Sequence, residues 1–91
     1  MSKVYAVMYD LKSNSHDYSC LFNQLTSSKG WSHYIQSAWL IETDETIELI
    51  WKRIEPTIDK KDFILIIEIR KNYQGWLPKE AWDWINERVS Y

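Results

Sequence analysis

Few side chains in this sequence are equipped for chemistry, and most of them stand alone. Asp10 closes the apolar run Val4-Tyr5-Ala6-Val7-Met8-Tyr9. A carboxylate at the carboxyl end of a buried strand sits where ligand sites of α/β sheets gather. Two of them, one from each of two subunits, would supply with a substrate phosphate the hard oxygen ligands that Mg²⁺ requires. Asp10 is therefore the candidate catalytic and metal residue; its structural alternative is to cap the next loop by accepting from nearby backbone N–H groups. His16 and His33 are the only side chains whose ordinary titration lies near neutrality, and so the only general-base candidates. Neither stands at metal-ligand spacing from another donor. His33 falls in a strand beside Trp31 and Tyr34, and His16 in the loop before a helix. Cys20, the single cysteine, lies inside a helical pattern and reads as a helix residue rather than a nucleophile.

Aromatic side chains are the unusual component, with six Trp and six Tyr in 91 residues. Arg70, Lys71, Tyr73 and Trp76 are close in sequence, and such a set can stack bases while its cations hold phosphates. Tyr9 and Lys12 beside Asp10, with Trp31 and His33, complete the candidate ligand-binding residues. Packing is the competing use of the aromatics. Trp51 and Trp82 fall on expected core faces and Trp39 in a strand, which leaves Trp31, Trp76 and Trp84 for a ligand or a subunit contact. Lys52-Arg53 and Lys60-Lys61, interleaved with Glu55 and Asp59, have the mixed signs of a solvated face.

The elements that would position these residues follow from periodicity. Residues 4–9 read as a fully buried strand. Tyr18, Leu21, Phe22 and Leu25 recur at i, i+3, i+4 and i+7, one face of a helix that Gly30 is placed to stop. Strands are expected over about 32–36 and 38–43, with a kink near Ser37. Thr43-Asp44 forms an N-cap pair for a helix carrying Ile47, Ile50, Trp51 and Ile54, which Pro56 closes. Residues 63–69 make the clearest strand. Pro78 stands at a first helical position, followed by Ala81, Trp82 and Ile85 on one face. Strand, helix, strand, strand, helix, strand is most simply an α+β, ferredoxin-like βαββαβ antiparallel sheet. Both helices would cover one face, and a C-terminal helix would follow. The chain reads as one domain, 1–91, with a Trp-rich tail from about 72. Its last strand would lie at a sheet edge. A long apolar edge invites pairing, so the tail or a second copy is expected to cover it, and a homodimer is the expected state.

Bulk properties narrow the partners. A net charge of −2 with 26% charged residues argues against an indiscriminate polyanion-binding surface. One cysteine fits a reducing compartment. The longest apolar run, Phe63 to Ile67, is far too short to span a membrane, and the N-terminus lacks the apolar run of a signal peptide. A cytoplasmic location with no membrane partner is the expectation.

Two longer motifs carry a family resemblance. Trp31-Ser32-His33-Tyr34-Ile35-Gln36-Ser37-Ala38-Trp39-Leu40 and Gly75-Trp76-Leu77-Pro78-Lys79-Glu80-Ala81-Trp82-Asp83-Trp84 resemble the SinR-like proteins. Those are relatives of the small CRISPR-associated adaptation protein, protein two, whose first strand Tyr5 to Asp10 is also similar to. The resemblance implies a ferredoxin-like fold and a homodimer. Adaptation proteins are described both as metal-dependent nucleases and as structural subunits that hold DNA. In the nuclease reading, Asp10 is the residue that would meet its partner-chain counterpart and bind Mg²⁺. The sequence departs from that family in having only Lys12 where a basic run would follow the Asp. Three functions result. The first is a homodimeric module binding nucleic acid or a nucleotide, in mobile-element or defence biology. The second is a Mg²⁺-dependent endoribonuclease, and the third a protein-interaction scaffold or regulator.

Overall fold

A computed structural model describes residues 2–90; Met1 and Tyr91, the ends of the expected domain and tail, lie outside them. The elements are β1 (Lys3–Asp10), α1 (Ser19–Thr26), β2 (Gly30–Ile35), β3 (Ala38–Thr43), α2 (Ile47–Ile54), a 3₁₀ turn (Glu55–Thr57), β4 (Phe63–Glu68) and α3 (Lys79–Arg88). The sheet order is β2-β3-β1-β4, and all neighbours are antiparallel. The fold is thus α+β, a four-stranded antiparallel sheet with three helices.

Burial on both faces explains why β1 has no polar alternation. Val4, Tyr5, Ala6 and Val7 are all buried. Tyr5 and Val7 face the main core, where Trp39 and Ile41 of β3 meet Leu21 and Leu25 of α1 and Ile50 and Ile54 of α2. Val4 faces the other way, into a smaller cluster with Ile85 and Val89. Helices α1 and α2 therefore cover one face of the sheet, and α3 covers part of the other.

Several local expectations are corrected. Gly30 does not stop α1, which ends at Thr26 with Ser27 in a right-handed conformation. It opens β2 instead, because a Cβ there would come 2.7 Å from a carboxylate oxygen of Glu42. That carboxylate is held by the Arg88 guanidinium 3.1 Å away, so it has little room to retreat. The N-cap of α2 is Thr46, whose hydroxyl accepts from the Leu49 N–H at 3.3 Å; Thr43 and Glu45 bond to one another instead. Trp51 was assigned to a core face but is 37% exposed. Pro78 stands just ahead of α3, at its N-cap. The tail does not cover the β4 edge: α3 lies against the sheet face, with Leu77 and Ala81 over Ser32, Ala38 and Leu40.

Candidate functional site

The loop after β1 is organised by an aspartate that the sequence pattern did not single out. Asp62, just before β4, accepts from the backbone N–H of Lys12 at 2.7 Å and from that of Asp59 at 2.8 Å. The Tyr18 hydroxyl lies 2.6 and 2.7 Å from its two oxygens and donates to the carboxylate. Partial burial pushes the Asp62 carboxyl upward, but these donors outweigh it and hold it below the usual carboxylate range. Burial and the Asp62 carboxylate push the Tyr18 phenol up in turn. The Asp62 carboxylate thus ties the β1–α1 loop to the start of β4, the capping role first considered for Asp10.

Asp10 itself points to solvent, 66% exposed, with its carboxylate 3.0 Å from Lys12. Lys12 also lies over the Phe63 ring, 4.8 Å from its centroid. Among the described residues no group of three or more His, Cys, Asp or Glu side chains comes together as a metal site. His16 lies at the loop, its Nε2 2.9 Å from the Thr57 carbonyl and its ring 4.6 Å from that of Tyr18.

The other candidates separate into two places. Tyr9, Trp31 and His33 gather around Trp39. The Trp39 indole N–H donates to the Tyr9 hydroxyl at 2.9 Å, and the His33 ring stacks on Trp39 at 3.9 Å between centroids. Trp31 packs against the same indole at 5.3 Å. His33 was expected among Trp31 and Tyr34; its stacking partner is instead Trp39, on the neighbouring strand. These aromatics line one side of the core, and Lys12 lies apart with Asp10. In the tail, Tyr73 stacks on Trp82 at 6.0 Å and belongs to the second core cluster. Trp84 is half-buried beneath the Arg88 guanidinium. Trp76 is 99% exposed and shares its segment with exposed Arg70 and Lys71. Arg70 lies 3.4 Å from Glu68.

The largest unassigned feature is apolar. Ile35, Ala38, Met8 and Leu65 are successive cross-strand partners, so one row of four side chains crosses the sheet on the face that α3 only partly covers. Leu65 is 56% and Ile35 55% exposed; Phe63 and Ile67 of the same face are open too. Exposed apolar area in this row and its neighbours amounts to roughly 400 Å², the size of the largest such patch on a typical monomer, which is often functional. Periodicity alone did not reveal this face, because a strand buried on both faces and one awaiting a partner read alike. Among the described residues no helix is long and apolar enough to cross a membrane. Compared with known proteins, the chain matches no family model, no curated protein and no solved structure, so its reading rests on the geometry above.

Proposed function

We propose that this protein is a ferredoxin-like association module whose working surface is the uncovered half of its sheet, closed by a second copy of the chain. The observation that carries this reading is the row Ile35-Ala38-Met8-Leu65, flanked by open Phe63 and Ile67. A stable interface takes about 800 Å² from each partner; the apolar patch would supply its centre and the surrounding polar surface its rim. The order β2-β3-β1-β4 with helices after β1 and β3 fits the ferredoxin-like arrangement, and the SinR-like resemblance favours a homodimer. Sedimentation equilibrium tests it. Wild type sediments as a dimer, and Ile35→Lys with Ile67→Lys, both at exposed positions, gives a folded monomer; a monomeric wild type at high micromolar concentration ends the reading.

Two of the functions considered above attach to the same dimer. Asp10 shares the open face with Met8 and is the register partner of Phe63, so covering this face is what would bring two Asp10 carboxylates together. RNA cleavage with Mg²⁺ that disappears in Asp10→Ala is the test of an endoribonuclease. Exposed Trp76 with Arg70 and Lys71 favours nucleic-acid or nucleotide binding along the tail.

A further inference from the structure

A second surface lies on the helix side of the sheet, along its β4 end. β4 closes the sheet, so along its outer side alternate N–H and C=O groups have no strand partner among the described residues. Its sequence, FILIIE, contains neither the Pro nor the Lys that commonly blunts such an edge. Helix α2 runs over this edge and leaves a groove of about 350 Å³ whose floor and wall are Ile47, Trp51, Ile64 and Ile66. Two further hollows of about 290 and 400 Å³ share lining residues with it, Ile47 at one end and Trp51 and Ile64 at the other. The three make one channel along the length of β4.

The charge of this channel selects its occupant. Asp44, Glu45 and Glu68 stand at one end, Glu48 at the middle, and Glu55, Asp59 and Asp62 at the other end, against Lys3 and Lys60. Much of that charge is already balanced: Glu45 is paired with Arg53 at 2.9 Å, Asp44 with Lys29 at 3.9 Å and Glu68 with Arg70 at 3.4 Å, and Asp62 is taken up by its loop. Glu48 on α2 and Glu55 in the 3₁₀ turn remain exposed with no ion pair among the described residues, and Asp59 is bonded only by backbone. Antiparallel pairing with a second copy's β4 would set Glu48 near its own counterpart about the two-fold axis, and like charges there oppose the pairing. A nucleic-acid strand is repelled for the same reason.

We infer that the β4 edge and α2 form a docking groove for an extended peptide of another protein, added as a fifth strand, apolar at alternate central positions and basic toward the end that meets Glu55 and Asp59. Main-chain pairing with β4 supplies affinity, the apolar channel receives alternate side chains, and the unbalanced Glu48, Glu55 and Asp59 select Lys and Arg. This surface is distinct from the open face assigned to the second copy, and substitutions at Ile35 and Ile67 leave it in place.

The test is fluorescence anisotropy with a labelled, end-blocked peptide of central Val-Thr-Val-Thr-Val flanked on each side by Lys and Arg. Saturable binding is expected, weakened about tenfold or more by Trp51→Ala, whose side chain is a partly exposed wall of the groove. Alternate N-methylation of the peptide backbone removes strand pairing and should abolish binding. The double substitution Glu48→Lys with Glu55→Lys, both exposed and harmless to packing, should reverse preference toward a peptide with Glu flanks. Equal binding of the Lys/Arg and Glu peptides, retention by the N-methylated peptide, or no binding overturns the proposal. Self-association lost in Trp51→Ala overturns it in favour of a second copy.

Discussion

Asp10 ends β1 and Asp62 stands just ahead of its register partner Phe63 on β4, yet their surroundings give the two aspartates different work. Asp10 has a single lysine partner in solvent, a pair worth little after screening and side-chain ordering. Asp62 holds the Lys12 N–H and the Tyr18 phenol, 50 and 44 positions away in the chain, as well as the nearby Asp59 N–H. Asp10→Ala is therefore expected to change stability by less than about 0.5 kcal/mol in urea melts, and Asp62→Ala to cost about 1–3 kcal/mol. The pH dependence has a definite sign. The native Asp62 carboxyl lies below the 3.8 of an unperturbed aspartate. Its contribution is therefore complete above the unfolded value and disappears as pH falls through the lower native one. Urea midpoints should drop below about pH 4 in wild type, and less steeply in Asp62→Asn; an unchanged slope would remove Asp62 from this role. Asp10 was visible in the sequence because it closes an apolar run. Asp62 was not, since nothing local announces that Lys12 and Tyr18 will reach it.

Helix periodicity placed α1 and α2 but overstated what they bury. In α1, Leu21 and Leu25 are wholly buried, and Phe22 on the same stripe is partly open beside Tyr9 and Trp39. In α2, Ile50 and Ile54 enter the core, whereas Ile47 and Trp51 overhang the last strand. Spacing defines a stripe on a helix; how much of it finds sheet beneath depends on where the sheet ends, and strand order is a non-local property. The same reasoning covers Gly30, whose place at the start of β2 reflects the approach of Glu42 from β3 and not the end of a helix. The expected energetic contrast is large. Leu25→Ala should cost about 2–5 kcal/mol by denaturant unfolding, because its neighbours on the sheet and α2 cannot close the cavity fully. Trp51→Ala should cost well under that, being a wall of an open groove; comparable losses at the two positions would mean that the α2 flank is packed in solution.

A chain of 91 residues buries a modest share of its surface, and this one leaves large apolar side chains open on both sides of β4. The ingredients of that state were apparent from the sequence in the length, the abundance of Trp and Tyr and the apolar last strand. The location was not, because α3 could have lain along the edge and instead lies across the face, where Ile85 and Val89 meet Val4. Association and folding are then coupled. If a second copy covers the row from Ile35 to Leu65, the midpoint of thermal unfolding must rise with protein concentration, since dimers dissociate as they unfold. A hundredfold dilution should lower the wild-type midpoint by several degrees in differential scanning calorimetry, while Ile35→Lys should melt at one temperature across the same range. Ile35 sits on β2, at the far side of the sheet from the α2–β4 groove, so peptide binding in that variant should persist while concentration dependence is lost. A wild-type midpoint independent of concentration would mean that the open face serves a different partner, and the groove would then be tested on a monomer.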